Sequence, residues 1–179
     1  GSFTGGLRRH VQAACEGFAR RGFVAATISY RLSAEGNIPA QYKAAQDAHA
    51  ALRYVVEHAA QYKIDTSWIF VGGNSAGAMI ANGLVYIDQR EWQSRDTLTN
   101  LVSAYGRLYS SGNQHPNSYD IKGIFNNWGS VYLPGVDSNE VVPTISFHGE
   151  KDPVIDIGLN RSNFTGGANV IDSFLKRLA

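Results

Sequence analysis

Apolar positions fall into two repeating patterns along the chain, one of helical period and one of short uninterrupted runs. Val11, Ala14, Cys15 and Phe18 recur at helical spacing with arginines and Glu16 opposite, and Gly22 is placed to end that helix. Phe23 to Tyr30 is a short run rich in β-formers, which predicts a strand buried on both faces. Ala44, Ala48, Ala51, Leu52, Val55, Val56 and Ala59 form a long second helical stripe. Trp68 to Val71 predicts the next buried strand, which runs straight into a glycine-rich turn, and a third helix carries Met79, Ile80 and Leu84. Residues 88–120 are polar and read as a small insertion over the sheet's edge. Ile121 to Trp128 and Pro143 to His148 predict two more buried strands, and Ile171, Phe174, Leu175 and Leu178 a closing amphipathic helix. Strands alternating with helices imply an α/β fold: a mostly parallel sheet with helices on both faces and its active site beyond the carboxyl ends of the strands.

Composition narrows the function classes. The 179 residues suffice for one domain, and no repeat, low-complexity tract or linker divides residues 1–179. A formal net charge of +1 argues against a surface built to grip nucleic acid. Arg8-Arg9 and Arg20-Arg21, the basic pairs, read as a solvated helix face. No apolar run has the length of a membrane span, and no signal peptide opens the chain. Cys15 is the only cysteine, which excludes an internal disulfide or a cysteine-based metal site. Its place on an apolar stripe predicts a small buried thiol. Nothing in the pattern asks for a metal or another cofactor.

The chemistry concentrates in Gly73-Asn74-Ser75-Ala76-Gly77. A serine hydroxyl is a poor nucleophile unless a base takes its proton and the oxyanion it creates is stabilised. A strand–turn–helix with G-x-S-x-G meets the geometric half of that need. The glycines leave room for a sharp turn, the serine projects above the sheet, and the following helix aims its first amides at the site. The N–H of Ala76 is then one oxyanion donor. The plainer alternative is a glycine turn packing a helix on a strand, with Ser75 as its N-cap. A phosphate loop fits less well: Gly72 and Gly77 have the spacing, but no Lys-Ser/Thr follows.

Around this motif the chain resembles the carboxylesterase and hormone-sensitive-lipase-like branch of the serine α/β-hydrolases. Ile28-Ser29-Tyr30-Arg31-Leu32 resembles a strand ending in Tyr-Arg-Leu. Asp47-Ala48, Ala51-Leu52-Arg53-Tyr54 and Tyr62-Lys63-Ile64-Asp65 resemble the long helix and turn before the elbow. Phe147-His148-Gly149-Glu150-Lys151-Asp152-Pro153-Val154 resembles the strand and loop carrying the acidic triad member. The resemblance implies hydrolysis of a small-molecule carboxylic ester, with Ser75 as nucleophile and Asp152 as the acid that orients a histidine base. An Asp-Pro turn is the structural alternative at Asp152, and Glu150 and Asp156 are acidic neighbours. His148 belongs with the family's structural His-Gly pair; His10, His49, His58 and His115 read as surface or packing residues. Arg31 and Asp47 read as a scaffold ion pair, and Asn74 stands where this branch often has an acidic residue. Trp92, Trp128 and Tyr132 are candidates for a pocket wall, although large aromatics usually belong to the core.

No histidine follows Asp152. Gly1-Ser2-Phe3-Thr4-Gly5-Gly6 resembles the tail of a His-Gly-Gly oxyanion loop, which would give the N–H groups of Gly1 and Ser2 to the oxyanion hole. The expectation is the middle of a larger hydrolase domain, incomplete at both edges. Alone it would be a poor esterase with open sheet edges. Two other readings stay open: amide or peptide hydrolysis on the same fold, and a non-catalytic hydrolase-like binding domain.

Overall fold

The structure is a computed structural model that describes residues 3–34, 37–95, 100–116, 118–160 and 165–178. In chain order it contains α1 (Gln12–Ala19), α2 (Asn37–Glu57), α3 (Ala59–Tyr62), β1 (Ile69–Asn74), α4 (Ala76–Tyr86), α5 (Gln89–Arg95) and α6 (Leu101–Tyr105). There follow β2 (Ile121–Asn127), β3 (Val131–Tyr132), β4 (Thr144–Phe147), β5 (Leu159–Asn160), β6 (Thr165–Gly166) and α7 (Ala168–Leu178). These elements make an α/β fold of the α/β-hydrolase type. They divide into two compact units, Gly1–Ile69 with Asp96–Asp120, and Phe70–Arg95 with Ile121–Ala179.

The first unit is organised by α2. Of its predicted stripe Ala44 and Ala48 are buried, Ala51, Leu52, Val55 and Val56 are half-buried, and Ala59 belongs to α3; Gln46, His49 and Arg53 on another face of α2 are buried too. Their polar atoms hold the segment after α6. The Gln46 amide donates to the carbonyls of Tyr105 and Gly106 at 2.9 and 3.1 Å. Arg53 donates to Asn113 Oδ1 at 3.0 Å and to the Ser111 carbonyl at 2.6 Å, and Tyr42 donates to the Gly106 carbonyl at 2.8 Å. Backbone carbonyls outside helix and sheet take their partners where donors are offered, so the segment read as a polar insertion keeps its irregular path by borrowing them from a helix.

Two expectations about this unit change. Phe23 to Tyr30 joins no ladder, and Phe23, Val24 and Ile28 are exposed. A strand exists only across from another, about 4.8 Å away, and among the described residues before Trp68 there is none. Cys15 is half-buried, because α1 buries no residue fully. Gly22, at φ +90°, follows α1 as its spacing predicts. Arg31 and Asp47 form the expected pair: the Asp47 carboxylate accepts from Arg31 Nε at 2.9 Å and from its backbone N–H at 2.6 Å.

The second unit carries a three-stranded sheet in the order β1-β2-β4. Strands β2 and β4 are parallel, with Ile124 opposite Thr144 and Asn127 opposite Phe147. Burial alternates along β1 and β4, and Phe70, Ile145 and Phe147 lie on the exposed positions. These runs are therefore half-buried strands. Helix α4 packs on β2, with Ala76, Ala78, Ile80 and Ala81 buried. A polar ladder crosses the contact. Asn82 Nδ2 donates to Asn126 Oδ1 and the Ser130 carbonyl, both at 3.3 Å, and Asn126 Nδ2 donates to Ser146 Oγ at 3.0 Å. Asn82 and Asn126 are fully buried. A second, antiparallel ladder, β3-β6-β5, pairs Tyr132 with Thr165 and Thr165 with Asn160. Two-residue strands carry no periodicity, so no pattern in the sequence marks them.

Two predictions follow from these buried polar groups. Burial, and secondarily the charge of Arg53, push the His49 imidazole down to about 3, and its Nδ1 shares a short hydrogen bond with the Tyr119 hydroxyl. The folded state keeps His49 neutral while an unfolded chain protonates it near its ordinary value of 6.5. Stability contributed by this group is whole above that value and falls as pH drops toward 3, by about 1.4 kcal/mol per pH unit. Urea midpoints measured from pH 7 to 4 should fall more steeply for the native chain than for His49→Gln. Separately, Asn82→Ala strips the Ser130 carbonyl and Asn126 of a buried donor. It should cost about 1–3 kcal/mol, read as a lower urea midpoint at unchanged slope; an unchanged midpoint would show that the ladder contributes nothing.

Candidate functional site

At the carboxyl end of β1 the chain must reverse into α4 within one residue, and Ser75 is that residue. Its backbone sits at φ 53°, ψ −117°, a region that costs a non-glycine residue about 1–3 kcal/mol. Gly73 makes the turn possible: a Cβ there would lie 2.5 Å from the Gly77 carbonyl carbon. A Cβ on Gly77 would meet nothing within 4 Å, so Gly77 matters through the close approach of its backbone. The turn is tied to the neighbouring strand twice. The Ser75 N–H donates to the Asn127 carbonyl at 2.9 Å, and Asn127 Nδ2 donates to Asn74 Oδ1 at 2.8 Å. Asn74, where the resembling branch often has an acid, thus serves as an amide acceptor.

Ser75 occupies the N-cap position of α4, but its hydroxyl makes no capping bond. A serine acting as an N-cap would accept from the second or third helical N–H. The hydroxyl is therefore not spent on the helix. Ala76 is the first residue of α4 and buried; an N–H at that position has no acceptor inside the helix. Gly1 and Ser2, the other expected oxyanion donors, lie outside the described residues.

Asp152 follows the carboxyl end of β4. Its Oδ1 accepts from the N–H groups of Val154 at 2.8 Å and Ile155 at 3.0 Å, so the Asp-Pro turn and a fixed carboxylate are the same structure. Those two N–H bonds, Ile155 first, hold its carboxyl below the ordinary carboxylate value, with a smaller pull from His148. Oδ2 faces His148 Nε2 at 3.5 Å, too long for a good hydrogen bond, because Nε2 donates instead to the Ile155 carbonyl at 2.8 Å. The His148 side chain is wholly buried and pins the loop that carries Asp152. Among the acidic neighbours, Glu150 is exposed, and Asp156 caps its own turn by accepting from the Gly158 N–H at 2.8 Å.

The aromatic candidates separate. Trp92 is 3% exposed and belongs to the core. Tyr132 carries the Arg95 guanidinium 4.9 Å over its ring, and the same cation lies 4.6 Å over Trp92; both rings pack a buried cation. Trp128 is 40% exposed at the carboxyl end of β2. The remaining histidines, His10, His49, His58 and His115, all lie in the other unit. Sequence reading missed the Asn74–Asn127 clasp and the Asn82–Asn126–Ser146 ladder. Asn-Asn before an aromatic at a strand end was the available signal for the first. Among the described residues, no group of histidine, cysteine, aspartate or glutamate could hold a metal ion, and no helix is long and apolar enough to cross a membrane.

Three comparisons bear on this geometry. A solved structure described as "Truncated form of carbohydrate esterase from gut microbiota" superposes with a TM-score of 0.54 at 19% identity, which speaks for the fold. The match covers 85% of this chain and 59% of that one, so the chain spans 59% of that structure's length. No curated protein matches the chain. The profile of the BD-FAE family matches residues 3–133, a stretch that includes the whole serine turn and ends before Asp152. By that match over most of its length, the chain belongs to the BD-FAE family, an esterase-like branch of the α/β-hydrolase domains.

Proposed function

We propose that the chain carries the nucleophile and the acid of a serine carboxylic-ester hydrolase. The observation that carries this reading is the strained backbone of Ser75, whose hydroxyl is left unused by the helix it precedes. Ser75 passes its proton to a histidine base as it attacks the ester carbonyl, and the N–H groups of Ala76, Gly1 and Ser2 donate hydrogen bonds to the oxyanion that forms. The imidazolium returns that proton to the departing alcohol, an acyl group remains on Ser75, and water, deprotonated by the same base, releases the acid.

The acid role of Asp152 rests on position and charge. Ser75 follows β1 and Asp152 follows β4, with β2 between them. Two strand spacings are about 9–10 Å, a gap that side chains and one imidazole, hydrogen-bonded at each end, would bridge. Two backbone N–H groups favour the ionised carboxylate, which suits a group that stabilises an imidazolium. His148 is not that imidazole, because it is buried and its Nε2 is committed to Ile155. The base is a histidine that the family order puts after Asp152 and that these 179 residues do not contain.

Kinetics on the full protein test both roles. With a p-nitrophenyl ester series beside aminoacyl p-nitroanilides, the esters should be the better substrates, and the reverse preference would make the protein an amidase. Ser75→Ala should lower kcat for the esters by about 10⁴-fold or more; activity within tenfold of the native protein would remove Ser75 from the mechanism. In Asp152→Asn the amide oxygen still accepts from Val154 and Ile155, so the loop keeps its shape while the charge is lost. A drop of about 10²–10⁴-fold in kcat is expected, whereas native kcat would leave Asp152 with the turn alone.

A further inference from the structure

We infer that Asn74 and Asn127 are positioning residues for the nucleophile, a clasp of two side-chain amides that fixes the 74–75 peptide and with it the direction of the Ser75 hydroxyl. The inference rests on the esterase reading above and adds these two residues to it. Asn127 grips the turn with two groups. Its backbone carbonyl accepts from the Ser75 N–H at 2.9 Å, and its side-chain amide donates to Asn74 Oδ1 at 2.8 Å. The peptide joining Asn74 to Ser75 is thus held by its own N–H and by the side chain that precedes it. Rotation of that peptide plane changes φ of Ser75, and φ 53° is a value that an unrestrained serine would leave.

Asn127 can act as an anchor because the end of β2 is itself fixed. One residue earlier, Asn126 Nδ2 donates to Ser146 Oγ at 3.0 Å. One residue later, the Trp128 N–H donates to the Phe147 carbonyl at 2.7 Å. Gly129 is wedged against α4, where a Cβ would lie 2.5 Å from Ala78 Cβ. Held from both sides, Trp128 takes a φ of 40°, a strained value for a bulky residue. On the facing strand, a Cβ on Gly72 would lie 2.6 Å from the Phe125 carbonyl oxygen. Strands β1 and β2 therefore approach closely just before the clasp.

Alignment, rather than stability, is what the side-chain bond supplies. Asn74 and Asn127 are half-buried, so water competes for both amides and the exchange of partners leaves little net stability in the bond. What water cannot supply is a fixed direction. A reacting hydroxyl gains rate from being held in its productive geometry, and a displacement of about 1 Å loses much of that gain. The clasp has one donor and one acceptor and carries no charge, which makes it separable by substitution.

The test uses the full protein and the p-nitrophenyl esters. Asn127→Leu keeps the size of the side chain and removes the donor. It should lower kcat by about 10–10²-fold, with KM and the urea midpoint nearly unchanged. Native kcat, or a kcat that falls in step with the urea midpoint, would overturn the inference. A second set introduces no apolar group. Asn74→Asp and Asn127→Asp each leave one amide facing one carboxylate, a pair that still bonds, so each should lose less than Asn127→Leu. With both changes two carboxylates meet, and they close only around a shared proton. The ratio of kcat in this double variant to kcat in Asn74→Asp should rise as pH falls from about 8 to about 5. The catalytic base, Asp152 and His148 are common to both proteins and cancel in the ratio; a flat ratio removes the clasp from the mechanism. If Ser75→Ala keeps native activity, the esterase reading fails and takes this inference with it. If Ser75→Ala is inactive while Asn127→Leu is native, the inference alone fails.

Discussion

Everything at the candidate site depends on one backbone constraint: Ser75 is held at positive φ between a strand and a helix that leave it no alternative. The Gly73 backbone lies against Gly77 where no side chain would fit, and the Ser75 N–H is tied to the Asn127 carbonyl. Strain of that kind survives only when the packing around it is worth more than its cost. Here the packing is α4 on β2, apolar through Ala76, Ala78, Ile80 and Ala81 and polar through the Asn82–Asn126–Ser146 ladder. The ladder runs on to β4, from which the acid loop departs. The serine turn is tied to β2 by its own bonds at Asn127, and the ladder ties α4 and β2 to β4.

That arrangement explains why two carboxyl-terminal strand ends suffice to set the geometry. Parallel strands put their carboxyl ends on one edge of the sheet, so residues far apart in sequence, Ser75 and Asp152, reach the same edge without a long loop. The carboxylate is then fixed locally, by Val154 and Ile155, and His148 holds the loop's carbonyl at Ile155. Each part has its own anchor.

Much of this was legible in the sequence because it is periodic or sterically demanding. The stripe from Ala44 to Ala59, the runs at Ile121 and Thr144, and the glycines around Ser75 each state a physical need that few structures satisfy. What was not legible depends on partners. Phe23 to Tyr30 has the composition of a strand, but composition does not supply the neighbour a ladder requires. Gln46, His49 and Arg53 look like a solvent face on α2, and only the carbonyls of residues 105–113 give them a reason to be buried. The strain at Trp128 has no sequence signal at all, since it arises from hydrogen bonds to two other strands.

The central claim is that Ser75 is the nucleophile, and the most direct measurement is where a serine-directed phosphonate attaches. The full protein would be treated with a fluorophosphonate, digested and mapped by tandem mass spectrometry. The account predicts one adduct, on the peptide containing Gly73-Asn74-Ser75-Ala76-Gly77 and localised to Ser75, and none in Ser75→Ala. An adduct on another residue, or equal labelling of Ser75→Ala, would contradict it.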